Sequence, residues 1–350
     1  MDTRAVSGFR FPAGRTHDLI CLGRAGVDMY AQQEGVALQD VTSFRKSVGG
    51  SPANIATGAA RLGLRAGLIG VVSADGFGSY VRQFLIDNRV DVQCLKTDTT
   101  GALNSVAFTE VRPNNCKVII FRRDAADLHL LADDIDRNYL ASAAALLVTG
   151  TALSASPSRE ACLHAMQLAR QAGTVVLLDM DYRPYGWAST TDAAMYLRMA
   201  CGLADIVIGN REEFDVLGAL DPLPLRESSA SAQQLMDRAE VQAVVVKDGA
   251  NGCQIFLANG TVITQGIFAV KARKPFGSGD AFAATLLWGL LQGQSWQDAA
   301  RHGAAAAAIN VSRDSCAEAM ASTSELMAFM ASYPPAPPTG PLNSFTESRP

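Results

Sequence analysis

An α/β fold with a mostly parallel sheet covered on both faces is predicted by three observations. Short apolar runs such as Leu19–Leu22, Ala145–Val148 and Ala243–Val246 alternate with longer segments of helical character. Strands that alternate with helices are joined by crossovers, which lay the helices over the sheet. The chain of 350 residues, 48% hydrophobic and 18% charged, is long enough for one large α/β domain or two small ones.

Taken in order, residues 1–17 carry Arg4, Arg10 and Arg15 but no apolar core of signal-peptide length, and read as a flexible N-terminal extension. Leu19–Leu22, stopped by Gly23, is the first buried strand, and Asp28 follows at its carboxyl side. Residues 32–48 are more polar and break the rhythm before a glycine turn. A helix over about 53–62, a strand over 68–72 and a helix over about 78–88 restore it. Ser105–Val111 and Lys117–Phe121 flank Arg112-Pro113-Asn114-Asn115, a connection too short for a parallel crossover, so they form a hairpin. With residues 32–48 it would build a small separate sheet, over about 32–48 and 103–124.

Strands then recur at 145–148, 175–178, 206–208 and 243–246. Between them lie helices at about 158–171, 193–202 and from 212, a variable Pro/Ser stretch at 221–231 and a helix to about 239. A helix opening near Gly279 and another over about 296–311 complete the domain, taken as 18–332. The Ala304–Ala308 run lets the last helix approach its neighbour closely. Pro334-Pro335-Ala336-Pro337-Pro338 begins a tail that cannot pack as a helix, so 333–350 reads as disordered.

Composition excludes several function classes. A net charge of −4 without a long basic cluster argues against a nucleic-acid partner. No run approaches the roughly 20 apolar residues of a membrane-spanning helix. The seven cysteines form no Cys-x-x-Cys pair and read as reduced thiols of a cytoplasmic protein, and the four histidines show no metal-ligand spacing.

Two glycine stretches carry the chemistry. In Lys274-Pro275-Phe276-Gly277-Ser278-Gly279-Asp280 the small residues let backbone N–H groups converge at the start of an apolar helix, where anionic oxygens are stabilised. Asp280 then sets a carboxylate beside the bound anion, an arrangement suited to phosphoryl transfer. Alone, the same residues also describe an ordinary helix start. Far upstream, Gly49-Gly50-Ser51-Pro52-Ala53-Asn54 opens a second helix, with Pro52 in its first turn. In an open parallel sheet, ligands bind beyond the carboxyl ends of the strands. Asp28, then Asp179, Asp181 and Arg183, then Asn210 and Glu213, then Lys247 and Gly249 occupy such ends. Each could individually be a cap or turn residue, but together they line one edge.

The two glycine stretches, their order and their wide separation resemble the signatures of the ribokinase-like (pfkB) carbohydrate kinases. The resemblance covers about residues 18–330. It implies a three-layer α/β/α sandwich with a small β-sheet lid over the sugar, and the use of ATP and Mg²⁺. It further implies that Asp280 is the catalytic base and that Gly277, Ser278 and Gly279 form the anion hole. Asp28, Gly50 and Asn54 would hold sugar hydroxyls. Asn210 and Glu213 match the Asn-x-x-Glu motif that organises Mg²⁺ through water. Gly249 and Gly252 match the turn by the nucleotide, with Lys247 where Thr is common, and Asn310 falls near the adenine. K⁺ serves some relatives, but Lys274-Pro275 stands where their Asp-Thr is usual. A homodimer joined lid to lid is also suggested.

Thr149-Gly150-Thr151-Ala152-Leu153, Asp181-Tyr182-Arg183-Pro184-Tyr185 and the Lys274 motif resemble members acting in myo-inositol breakdown. Their substrate would be a sugar acid phosphorylated at its C6 hydroxyl, 5-dehydro-2-deoxy-D-gluconate, with 2-dehydro-3-deoxygluconate the alternative. Guanidinium groups bind carboxylates through paired hydrogen bonds, so Arg122, Arg183 and Arg24 are candidates for the acid group. Each could instead be a solvated or structural ion-pair residue. A non-catalytic nucleotide or sugar sensor is the alternative from another class, against which the retained Asp280 argues.

Overall fold

The computed structural model describes residues 4–6, 9–112, 116–220, 233–237, 241–274 and 276–333. The expected turn at 113–115, most of the variable stretch at 221–231, Pro275 and the tail from 334 lie outside them. Three sheets are present among these residues, and the central one is nine-stranded.

The N-terminal stretch differs from expectation. Strands β1 (Arg4–Val6) and β2 (Phe9–Phe11) pair as an antiparallel ribbon, and Phe11 is buried. The central sheet begins at β3 (His17–Leu22). Its side chains divide between two apolar clusters, Leu19 and Cys21 in one and Ile20 and Leu22 in the other. That alternation, with both faces apolar, is the signature of a strand covered on both sides.

Strand β4 (Gly26–Ala31) leaves this sheet at once and joins β5 (Phe44–Gly49) in the lid. Helix α1 (Ser51–Arg61), strand β6 (Ala66–Val72), helix α2 (Gly76–Asp87) and the short strand β7 (Leu95–Thr97) continue the core. Strands β8 (Val106–Thr109) and β9 (Val118–Phe121) form the expected hairpin and complete a four-stranded lid in the order β5-β4-β8-β9. Residues 32–43 contribute no strand to it, only a 3-10 turn at Leu38–Asp40.

The core resumes with α3 (Arg137–Ala141), β10 (Ala143–Thr149), α4 (Ser158–Gln171), β11 (Val175–Asp179), α5 (Thr190–Cys201), β12 (Ile206–Asn210), α6 (Arg211–Leu217) and β13 (Ala243–Lys247). Two strands the sequence did not lead us to expect, β14 (Cys253–Leu257) and β15 (Val262–Gln265), close one edge antiparallel. The order is β15-β14-β13-β12-β11-β10-β3-β6-β7, parallel from β13 to β7.

Helices α7 (Ser278–Leu291), α8 (Trp296–Val311) and α9 (Thr323–Ser332) end the domain. From Ala281 to Leu291, α7 is buried on every side, as an all-round apolar helix must be. It lies with α1 and α8 on one face of the sheet, while α4, α5 and α6 cover the other. Layers of this kind place the carboxyl ends of β10 to β13 opposite the first turn of α7.

Candidate active site

The Gly-Gly stretch is required by what surrounds it. A Cβ on Gly49 would lie 2.0 Å from Asp28 Oδ1, and one on Gly50 would lie 2.3 Å from the Arg24 carbonyl oxygen, at a φ of +104° that disfavours side chains. The chain can therefore turn from β5 into α1 in direct contact with β4. This turn aims Ser51 and Asn54 at the start of α7, where Ser51 Oγ and Asn54 Nδ2 each donate to Asp280 at 2.7 Å.

Gly277 caps α7 in the left-handed region, φ +83°, and a Cβ there would meet Asn310 Oδ1 at 2.6 Å and Cys316 Sγ at 2.8 Å. No other residue type fits both the dihedral and the space. Asp280 follows in the first turn, and burial pushes its carboxyl up to about 6; the charges of Asp181 and Asp179 add to this, and the bonds from Asn54 and Ser51 oppose it. A carboxylate so poised is ionised at neutral pH yet basic enough to take a proton.

Across the cavity the strand ends converge. Lys247, at the end of β13, lies 3.2 Å from Asp179 Oδ2, and a Cβ on Gly279 would be 3.3 Å from its Nζ, so its charge sits beside the helix start. Burial draws the Lys247 pKa down, but Asp179 and Glu213 outweigh it and keep the amine charged. Asn210 and Glu213 form a reciprocal cap at the start of α6: Glu213 N donates to Asn210 Oδ1 at 2.9 Å and Asn210 N to Glu213 Oε2 at 2.7 Å. Tyr182 N donates to the other Glu213 oxygen at 3.1 Å. Burial raises the Glu213 carboxyl to about 7; Lys247 opposes the shift, and Asp179 and Asp181 add to it. Asp181 adopts φ +31° and is held by Thr151 Oγ1 at 3.0 Å and Arg183 Nη2 at 2.7 Å.

A cavity of about 1070 Å³ joins these groups and brings together all but one of the residues singled out in the sequence. Asp28, Gly50, Asn54 and the three arginines line it, as do Asn210, Glu213, Lys247, Gly249 and Gly252 at the strand ends and Gly277 to Asp280 at the helix start. Asp28 follows the carboxyl end of β3, as expected, and reaches the cavity from within the lid strand β4.

The exception is Asn310. It is fully buried, its Oδ1 accepts from Lys274 and its Nδ2 donates to the Cys316 carbonyl at 3.0 Å. It braces the turn before α7 from behind and is not part of the cavity wall.

The arginines also differ in kind. Arg122 is committed to protein partners, with Nε donating to Asp127 at 2.8 Å and Nη1 to the Thr151 carbonyl at 2.9 Å. Arg183 pairs with Asp181 and its side chain is 47% exposed. Arg24 is buried; its Nε donates to Ser105 Oγ at 2.8 Å, while Nη2 makes no hydrogen bond and lies 3.5 Å from Asp28 Oδ1.

Sequence reasoning missed Ser51 as a partner of Asp280, though it stands inside the quoted Gly-Gly stretch. It also missed Tyr30, whose hydroxyl donates to Cys316 Sγ at 3.0 Å and lies 3.3 Å from Asp28 Oδ2. A polar residue two after Asp28 on the same strand face was the available signal.

Comparison with known proteins agrees with this arrangement. The model of the pfkB family carbohydrate kinases matches residues 16–323. The chain is 48% identical over 316 residues to 5-dehydro-2-deoxygluconokinase of Photobacterium profundum, covering 90% of this chain and 95% of that protein. Among solved structures, fructokinase with bound ATP from Xylella fastidiosa superposes with a TM-score of 0.81 at 24% identity, over 90% of this chain and 98% of that one. A fructokinase double mutant from Vibrio cholerae O395, in a fructose-, ADP- and potassium-bound form, gives 0.77 at 26% identity, over 90% and 99%. Spanning nearly the whole described fold and the motifs of its cavity, these matches lead to one conclusion: the chain belongs to the pfkB family of carbohydrate kinases.

Proposed function

We propose that this kinase transfers the terminal phosphoryl group of ATP to the C6 hydroxyl of 5-dehydro-2-deoxygluconate, giving the 6-phosphate and ADP. The observation that carries the reading is the 48% identity, across 90% of the chain, to a relative bearing that activity's name. Asp280 takes the hydroxyl proton as the oxygen attacks phosphorus and the bond to the ADP oxygen breaks. The N–H groups at the start of α7 and the Lys247 ammonium stabilise the charge that develops on the transferred group.

The donor set at the strand ends fits Mg²⁺. Asp179, Asp181 and Glu213 are buried oxygen ligands facing one cavity, but no three His, Cys, Asp or Glu among the described residues are close enough to hold a metal directly. Asn210 and Glu213 would therefore hold it through its water shell. When bound it neutralises phosphate charge. Potassium stays outside the reading, because Lys274 occupies the place of the usual Asp-Thr.

Arg24 is assigned the substrate carboxylate, since the residue lines the cavity and its buried Nη2 has no hydrogen-bond partner within the protein. Arg183 approaches the same acid from the exposed side, and Arg122 positions the lid. The homodimer is retained as part of the proposal, supported by Ile119 and Phe121 exposed on the lid strand β9.

The test is ADP release with Mg-ATP and 5-dehydro-2-deoxygluconate, 2-dehydro-3-deoxygluconate, fructose or ribose, for wild type and Arg24→Met. Wild type should prefer the first. Arg24→Met should raise KM for the acid by at least about tenfold, the effect of losing a hydrogen bond to a charged group, and leave KM for ATP nearly unchanged. Preference for a neutral sugar, or equal effects on both substrates, would overturn the assignment.

A further inference from the structure

Lys274 is an unusual residue for its position. It precedes the anion-hole turn, it is only 3% exposed, and its Nζ donates to the Phe276 carbonyl at 2.6 Å and to Asn310 Oδ1 at 2.8 Å. Lysine is almost never fully buried unless its charge is compensated. Here the compensation is a pair of neutral oxygens, the kind of donor set that holds a bare monovalent cation.

We propose that the Lys274 ammonium is a tethered monovalent cation that fixes the anion-hole turn, so that the kinase needs no free K⁺ for turnover. The inference rests on the kinase reading above and deepens it.

One peptide plane links the lysine to the anion hole. The peptide group between Phe276 and Gly277 is planar and trans, so its C=O and N–H point in opposite directions. Holding the Phe276 carbonyl on the ammonium turns the Gly277 N–H away from Lys274. Gly277 has no side chain to hold this plane, so the contact of the ammonium with the Phe276 carbonyl is what fixes it.

The same ammonium ties three segments together. Asn310, which accepts from it, lies near the end of α8 and donates in turn to the Cys316 carbonyl. The Arg273 N–H donates to the Val311 carbonyl at 2.8 Å, anchoring the segment that leads into Lys274. Burial lowers the Lys274 pKa, and the nearby Cys316, Asp280, Asp314 and Asp28 act in the opposite sense. Lys274 touches no reacting atom, so it is a positioning residue.

Turnover of wild type, Lys274→Ala and Lys274→Met is measured with tetramethylammonium as the only monovalent cation, then with K⁺, NH₄⁺ or methylammonium added. Affinity for Mg-ATP is titrated calorimetrically in the same buffers, a readout that requires no sugar to be phosphorylated. Wild type should be indifferent to the cation. Lys274→Ala should lose kcat by about tenfold or more, with KM for the sugar little changed, and should weaken for Mg-ATP. Small cations should restore both in a saturable way. Lys274→Met fills the space without charge and should not recover.

Dependence of wild type on K⁺ would overturn the proposal, as would undiminished turnover of Lys274→Ala without a small cation, or a folded Lys274→Ala that no small cation restores. If Lys274→Ala does not fold, the wild-type comparison decides alone. Failure of the kinase reading would look different: no sugar would be turned over by wild type, and the Mg-ATP titrations would still judge the lysine.

Discussion

Asp280 shows at the residue scale how one position meets two opposed demands. Burial makes its carboxylate basic, which catalysis needs, and the same burial makes the ionised form costly to the fold. Its folded pKa of about 6 lies above the ordinary 3.8, so its contribution to stability is full below the lower value and is lost as pH rises through the higher. Asp280→Asn should therefore reduce turnover by at least about 10²-fold, the low end for a general base. It should also leave Tm at pH 8 equal to or above that of wild type, with any advantage shrinking toward pH 4. In wild type, kcat/KM should fall on the acid side with a midpoint near 6. Turnover that survives the substitution, or a variant that unfolds at pH 8, would contradict this account.

The lid shows how an element is held in place by a charge. Arg122 directly follows β9, and its guanidinium binds Asp127 and the Thr151 carbonyl, linking the lid hairpin to the turn after β10. The Asp127 side chain is 1% exposed, so removing its partner would leave a buried charge unpaired. Arg122→Ala should cost about 3–5 kcal/mol of stability, read as a loss in denaturant unfolding, before any effect on the sugar is considered. An unchanged unfolding midpoint with a raised KM would return Arg122 to the substrate.

Elements were legible where one physical cause dominated. The runs buried on both faces, such as β10 and β13, and the amphipathic helices α4 and α8 could be read because apolar periodicity alone defines them. Strand β4 was not, since Asp28 and Tyr30 face the cavity while Val27 is buried, and its polar face resembles a loop. Strand β7 is three residues long, too short for any period to show. Strands β14 and β15 follow the Gly249 turn without an intervening α-helix, an antiparallel return that departs from the strand–helix rhythm by which the other strands were read.

At the scale of the molecule, the fold brings residues from Arg24 to Asp280 around one cavity, and the glycine stretches were the legible part of it. Spacing could mark Gly50 and Gly277 because their backbones leave no alternative. It could not separate the three arginines, whose roles depend on partners far apart in sequence: Ser105 for Arg24, Asp127 and Thr151 for Arg122, Asp181 for Arg183. The burial of Asn310 behind the cavity wall was illegible for the same reason, since its partners Lys274 and Cys316 become visible only once the turn is built.

The central claim is phosphorylation of a sugar acid at one hydroxyl, with Asp280 as its base. Phosphorus and proton nuclear magnetic resonance of the product from 5-dehydro-2-deoxygluconate and Mg-ATP tests it most directly. The account predicts one phosphoryl group per ADP formed, coupled to the C6 methylene protons, and formation of this product at least about 10²-fold slower with Asp280→Asn. Phosphate on another carbon, or ADP released with inorganic phosphate and unmodified sugar, would contradict it.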